Sequence, residues 1–227
     1  MKLQYLWHSF FKISFAGVNI LVDPFVSVPP EGTFQLNMKC PVNVKKLKNI
    51  GLIFISNEHF DHFDKEVVEI IANRDHASVI GHESILNDLN IPPSLKNNVK
   101  VGDKLSLRGV DIEVRSAHYP NSFYPLSFCF TKDKEKIFFA GNTALTDSFN
   151  DIDCDVAIVP IGGSSTMDVI DAVRATKTMK PKYAIPMHYN SFDSIIADPE
   201  EFKSRIDKSI LKTIPIILKP GQSFKTP

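Results

Sequence analysis

An α/β architecture, with mixed β-sheets covered by helices, is what this sequence of 227 residues predicts. Three observations carry that reading. Alternating apolar and polar residues recur as hairpins in residues 1–25 and 100–145. The last third alternates short apolar runs with helical patterns. Between them, Ile50-Gly51-Leu52-Ile53-Phe54-Ile55 is a short apolar run that reads as a buried strand leading into a capped helix.

In residues 1–25, Phe11, Ile13 and Phe15 alternate with Lys12 and Ser14, Ala16-Gly17 turns the chain, and Ile20-Leu21-Val22 returns. Residues 27–49 hold Pro29-Pro30-Glu31-Gly32 and Pro41, a long irregular loop expected to border a pocket. After the strand at 50–55, Asp64 is an expected N-cap, and Val67, Val68, Ile70 and Ile71 form the apolar stripe of a helix over 64–73. Ala77 to Gly81 reads as a strand and Glu83 to Leu89 as a short helix stopped before Pro92-Pro93. Strands follow at Lys104–Leu107, Val110–Arg115, Leu126–Thr131 and Lys136–Ala140. Val156–Val159 is a strand. Thr166 is the expected cap of a helix carrying Val169, Ile170, Val173 and Met179. Tyr183–Met187 is a strand. Asp198-Pro199-Glu200-Glu201 starts a helix with proline at its first position, and Ile214–Leu218 is the last strand. One domain over residues 1–227 accommodates all of these elements.

The bulk numbers narrow the function. Hydrophobic residues make up 43% and charged residues 23%, an ordinary globular balance. A formal net charge of zero gives no electrostatic reason to expect nucleic acid or an anionic membrane as partner. Lys39, Lys45, Lys46 and Lys48 read as a solvated face. Cys40, Cys129 and Cys154 form no disulfide framework or CxxC pattern. No secretory leader or membrane-length apolar run is present, so a cytoplasmic protein is expected. The partner classes left are a small-molecule substrate and a second copy of the chain in a homo-oligomer.

The chemistry concentrates after strands. Ser56-Asn57-Glu58-His59-Phe60-Asp61-His62 places two imidazoles and a carboxylate on a strand-to-helix loop, a donor set suited to zinc or a similar metal. His118, Asn142 and His188 each follow another strand. Strand ends on one edge of layered sheets converge, so these positions can meet at one cation. His8 and Asp23 are further polar residues to watch. Taken singly, His8 could be a hydrogen-bonded strand histidine and Asp23 a cap before Pro24.

With those residues in view, the chain resembles the metallo-β-lactamase superfamily, and within it the ascorbate-6-phosphate lactonase-like branch of metal-dependent hydrolases. The resemblance rests on Leu6-Trp7-His8-Ser9, Leu21-Val22-Asp23-Pro24-Phe25, Asn57 to His62, Ala140-Gly141-Asn142-Thr143, Val159-Pro160-Ile161-Gly162-Gly163 and Ile185-Pro186-Met187-His188-Tyr189-Asn190. It implies a four-layer αββα sandwich with metals at one edge of two sheets. His59 and His118 match imidazoles of a first metal site, and Asp61, His62 and His188 the protein ligands of a second. Asn57 stands where the family's His-x-His-x-Asp-His motif has its first histidine, and Asn142 where its bridging aspartate stands. A neutral amide oxygen bridges two cations poorly and donates weakly. The expectation is therefore one Zn2+ or Mn2+ rather than two, with Asp61, His62 and His188 as the surviving core. The implied activity is hydrolysis of an ester, lactone or phosphodiester bond through a metal-bound hydroxide. A divalent cation lowers the pKa of bound water toward ~7, from ~16 in bulk. Asp61 would also orient the water, and His118 or His8 would carry a proton. The alternative is a binding module that kept the fold and lost efficient catalysis with the changes at Asn57 and Asn142.

Overall fold

The computed structural model describes residues 1–27 and 35–227. Residues 28–34, part of the loop expected at 27–49, lie outside the described residues. The chain opens as a meander of three strands, β1 (Lys2–Trp7), β2 (Phe10–Phe15) and β3 (Val18–Val22), rather than the single hairpin expected. His8 accordingly lies in the turn between β1 and β2, not in a strand. β4 (Ile50–Phe54) pairs in parallel with β3 and with β5 (Ser78–Gly81). A strand flanked in parallel on both sides is covered on both faces, which explains its unbroken apolar run. Leu52 and Phe54 face the space between the sheets, while Ile50 and Ile53 face the helices.

α1 (Lys65–Asp75) follows, with Asp64 as its N-cap accepting from the Val67 amide at 3.3 Å. It buries Val67, Val68, Ile71 and Ala72, whereas Ile70, expected in that stripe, is exposed. α2 (Glu83–Leu86) is shorter than expected. β6 (Lys96–Asn98) completes this side of the first sheet. Next come the antiparallel β7 (Lys104–Leu107), β8 (Val110–Ser116), β9 (Leu126–Lys132) and β10 (Glu135–Phe139), then the parallel β11 (Val156–Pro160). α3 (Val169–Met179) is capped by Asp168, not Thr166, and leaves Ile170 exposed. Asp168 wins because its side chain reaches the Asp171 amide at 2.8 Å. The Thr166 hydroxyl instead donates to the Gly163 carbonyl at 2.7 Å. β12 (Tyr183–Met187), α4 (Pro199–Asp207, capped by Asp198), a two-residue β13 (Ile214–Pro215) and β14 (Ser223–Lys225) close the chain.

Among the described residues there are two seven-stranded sheets, ordered β14-β1-β2-β3-β4-β5-β6 and β13-β12-β11-β10-β9-β8-β7. They pack face to face over one core, where Phe54 lies edge-on to Phe128 and Phe130 with ring centroids 5.1 and 4.8 Å apart. A second core joins the first sheet to α1 and α2, and a third joins the second sheet to α3. Phe202 and Ile206 of α4 belong to that third core. The result is the four-layer αββα sandwich.

This layering positions the chemistry. The β1–β2 turn and the segments after β4, β10 and β12 open on one edge of the paired sheets. Among the described residues, no helix is long and apolar enough to cross a membrane.

Candidate metal centre

His8, Asp61, His62 and His188 come together so that one ligand atom from each lies within 4.8 Å of all the others. Asp61 Oδ2 is 3.1 Å from His8 Nε2, 3.7 Å from His188 Nε2 and 3.9 Å from His62 Nε2. The His62 and His188 rings stack, with centroids 5.5 Å apart. Thus the segment after β4 and the segment after β12, far apart in sequence, share one site.

The backbone is bent to make this possible. His8, Asp23 and His188 have φ of 55°, 49° and 58°, the left-handed region that side chains other than glycine seldom adopt. Each such residue costs of order 1 kcal/mol or more and persists where the surroundings enforce it. Here the enforcement is visible: the His188 amide donates to the His8 carbonyl at 3.0 Å, stitching the two segments together. Gly141 (φ 62°) turns the chain after β10; a Cβ there would lie 2.6 Å from the Leu126 carbonyl oxygen. Its freedom brings Asn142 into the buried edge.

Asp23 fixes His62. Its Oδ1 accepts from the Ser56 amide and its Oδ2 from the Ser56 hydroxyl, both at 2.7 Å. Oδ2 also meets His62 Nδ1 at 2.6 Å, leaving Nε2 turned toward Asp61. A carboxylate behind an imidazole in this way sets the tautomer and raises ligand basicity. Asp23→Ala should therefore weaken cation affinity by roughly 10–100-fold, measured by calorimetric titration of the metal-free protein; unchanged affinity would remove Asp23 from this role.

The electrostatics follow from burial and crowding. Burial opposes ionisation of Asp61, but His62, His188 and His8 outweigh it and hold the carboxyl well below the usual carboxylate range. Burial, then His188, pushes the His8 pKa down to about 3 against the pull of Asp61. Burial likewise lowers that of His188. For His62, burial lowers but Asp61 and Asp23 more than compensate, and the net shift is upward.

The donors fit a cation. His62 Nε2 and both ring nitrogens of His188 are buried without a hydrogen-bond partner, a costly arrangement that a cation on the lone-pair nitrogen of each ring would relieve in part. Both polar atoms of the Asn142 side chain are also buried and unpartnered. Three imidazoles and one carboxylate are a donor set for zinc or a similar transition metal.

The remaining residues expected to hold a first metal are not in this cluster. The Asn57 Oδ1 accepts from the His59 amide at 3.0 Å, and Asn57 Nδ2 donates to Ser56 Oγ at 3.1 Å. His59 Nε2 meets the Asn121 carbonyl at 2.8 Å, so that nitrogen is engaged with the segment after β8. Glu58 holds the same segment through the Ser122 hydroxyl and the Phe123 amide, at 2.8 and 2.7 Å. The His118 side chain is exposed, while its amide donates to Thr143 Oγ1 at 2.9 Å. His59 and Glu58 together fasten the segment after β8. Beside the cluster, Trp7, Phe25, Phe192 and Ile195 form a buried apolar wall against which Leu36 of the long loop packs. Phe192 lies 5.3 Å from the His8 ring. Ser191, which bonds His8 Nδ1 at 2.5 Å, is a site residue that sequence reasoning missed. Its proximity to His188 in the chain was the one available signal.

A sandwich of two mixed sheets with a buried His/Asp cluster at its strand ends defines a metallo-hydrolase architecture. Residues 2–188 match the family described as beta-lactamase superfamily domain. A UPF0173 metal-dependent hydrolase of Staphylothermus marinus is 33% identical, covering 99% of each chain. One of Aeropyrum pernix is 31% identical, covering 99% of this chain and 97% of its own. Among solved structures, Igni18, a metallo hydrolase of Ignicoccus hospitalis, superposes with a TM-score of 0.84 at 28% identity, covering 100% of this chain and 99% of its own. The chain belongs to the metallo-β-lactamase superfamily, in its UPF0173 group of metal-dependent hydrolases.

Proposed function

We propose that the protein hydrolyses an ester, lactone or phosphodiester bond in a small molecule with one divalent cation, zinc or manganese, held by Asp61, His62 and His188. The observation that carries this is the convergence of Asp61, His62 and His188 with buried ring nitrogens that no other described group satisfies. The charge balance favours one ion. A divalent cation beside Asp61, with Asp23 behind His62, brings two positive and two negative charges together; a second cation would leave two positive charges uncompensated in a buried edge. When bound, the cation supplies Lewis acidity and an acidified water at neutral pH. With a cation held there, Asp61 would orient a water, and His118, exposed just after β8, would pass a proton to solvent. The segment 119–124, fastened by Glu58 and His59, would shape substrate specificity. The lactonase-like branch makes a lactone or phosphoester the first substrate class to try.

A second reading, a binding module with impaired catalysis, is favoured by the amides at Asn57 and Asn142 and by the engaged Nε2 of His59. Elemental analysis of protein purified with zinc or manganese present, paired with lactonase and phosphodiesterase assays before and after chelation, separates the two. One retained equivalent and chelator-sensitive turnover support the hydrolase. Protein that holds no cation leaves the binding module.

A further inference from the structure

Resting on the one-cation reading above, we propose that His8 is a fourth protein ligand, which joins Asp61, His62 and His188 from the β1–β2 turn. Four features of the geometry point to it.

First, the spacing fits. Ligand atoms ~2.1 Å from a tetrahedral ion stand ~3.4 Å apart. The separations of Asp61 Oδ2 from the nitrogens of His8, His188 and His62, at 3.1, 3.7 and 3.9 Å, bracket that value. His8 is the nearest of the three.

Second, the imidazole is held as ligating histidines are. His8 Nδ1 is engaged by the Ser191 hydroxyl at 2.5 Å, and His62 Nδ1 by the Asp23 carboxylate at 2.6 Å. Both rings then present Nε2 to the same point. His8 Nε2 lies 3.1 Å from Asp61 Oδ2, so the ring nitrogen and the carboxylate oxygen share the point where a cation would sit.

Third, the ring has nowhere else to go. His8 is fully buried, with Phe25 and Phe192 edge-on to it at 6.2 and 5.3 Å. Its own left-handed backbone and the His188 amide on its carbonyl fix the direction of its side chain. A ligand position determined from both sides loses little entropy on binding.

Fourth, the substitution pattern leaves a gap that His8 fills. Asn142 contributes no negative charge and only a weak oxygen, so Asp61, His62 and His188 alone are a sparse set for retaining an ion. A third imidazole restores a strong donor without adding charge. Ser191 is then a positioning residue, acting through His8.

The test uses the full chain, stripped of metal and titrated with Co2+ and Zn2+, for wild type, His8→Ala, Ser191→Ala and His188→Ala. Circular dichroism checks that each variant is folded. Wild type should bind one equivalent. His8→Ala should lose affinity by more than about 100-fold, beyond the 10–100-fold typical of an outer hydrogen-bond partner, and should change the visible absorption of bound Co2+. Ser191→Ala should lose roughly 10–100-fold. Should His8→Ala fail to fold, pulsed EPR of wild type loaded with Cu2+ decides by counting coordinated imidazoles: three support the proposal and two overturn it. A His8→Ala protein with unchanged affinity and Co2+ spectrum, while His188→Ala loses the ion, overturns the role of His8 and leaves the one-cation reading intact. Wild type that binds neither ion overturns both.

Discussion

Gly162→Ala should cost the protein both stability and its grip on a cation. A Cβ at Gly162 would lie 2.2 Å from the backbone carbonyl oxygen of His188 and 2.9 Å from the Ile195 Cβ. The obstacle is main chain, which no rotamer change removes. Moreover, it is the main chain of a residue already held at φ 58° and tied by its amide to His8. Relief therefore comes from moving His188, whose Nε2 now lies 3.7 Å from Asp61 Oδ2, and the proposed cation site is displaced with it. Overpacking of a tight interior costs roughly 1–3 kcal/mol, and this case belongs at the upper end. The melting temperature should fall by several degrees, since each kcal/mol shifts a domain of this size by about 2–4 °C. Cation affinity should fall with it, and the stabilisation that added zinc gives wild type should shrink. A Gly162→Ala protein that melts like wild type and binds zinc as tightly would mean that the loop after β11 does not buttress His188.

The buttress shows where sequence reasoning reaches and where it stops. Gly162 belonged to a recognisable motif, but its reason, contact with a residue 26 positions away in sequence, exists only in the folded chain. β4 and α1 were legible because an unbroken apolar run and an aspartate cap are local signals. β6, made of Lys96, Asn97 and Asn98, and β14, made of Ser223, Phe224 and Lys225, were not, because short polar strands at sheet edges carry no period. The αββα layering was legible by resemblance, and its cause lies in alternation such as Leu52 and Phe54 inward, Ile50 and Ile53 outward. At the site, the meeting of His188 with Asp61 and His62 followed from their common place after strands. The membership of His8 did not, because a histidine between two strands looks the same whether it turns to solvent or to a cluster. The engagement of His59 by Asn121 was equally hidden, since the motif spacing is indifferent to where the ring points.

That last contact governs the second large effect, the double reversal Asn57→His with Asn142→Asp. It should raise bound metal from one equivalent to two. The new imidazole at position 57 would join His59 and His118 as a donor set, and the carboxylate at position 142 would supply the charge a second divalent ion needs. Both changes first cost stability. Asn57 Oδ1 now accepts the His59 amide, and losing that bond costs about 1 kcal/mol. A carboxylate at position 142, where neither amide atom has a partner, is a buried charge worth several kcal/mol until a cation pairs with it. The metal-free double variant should therefore melt below wild type and recover on adding zinc. An ion at 100 times its dissociation constant returns about 2.7 kcal/mol. The His59 ring must also leave the Asn121 carbonyl, so residues 119–124 should become more susceptible to proteolysis as the second ion binds. Hydrolytic turnover should rise with the second equivalent if the cleft otherwise suits its substrate. The decisive measurement is stoichiometry: a folded double variant that saturates at one equivalent would show that His59 and His118 have been committed to the loop and no longer form the remnant of a metal site.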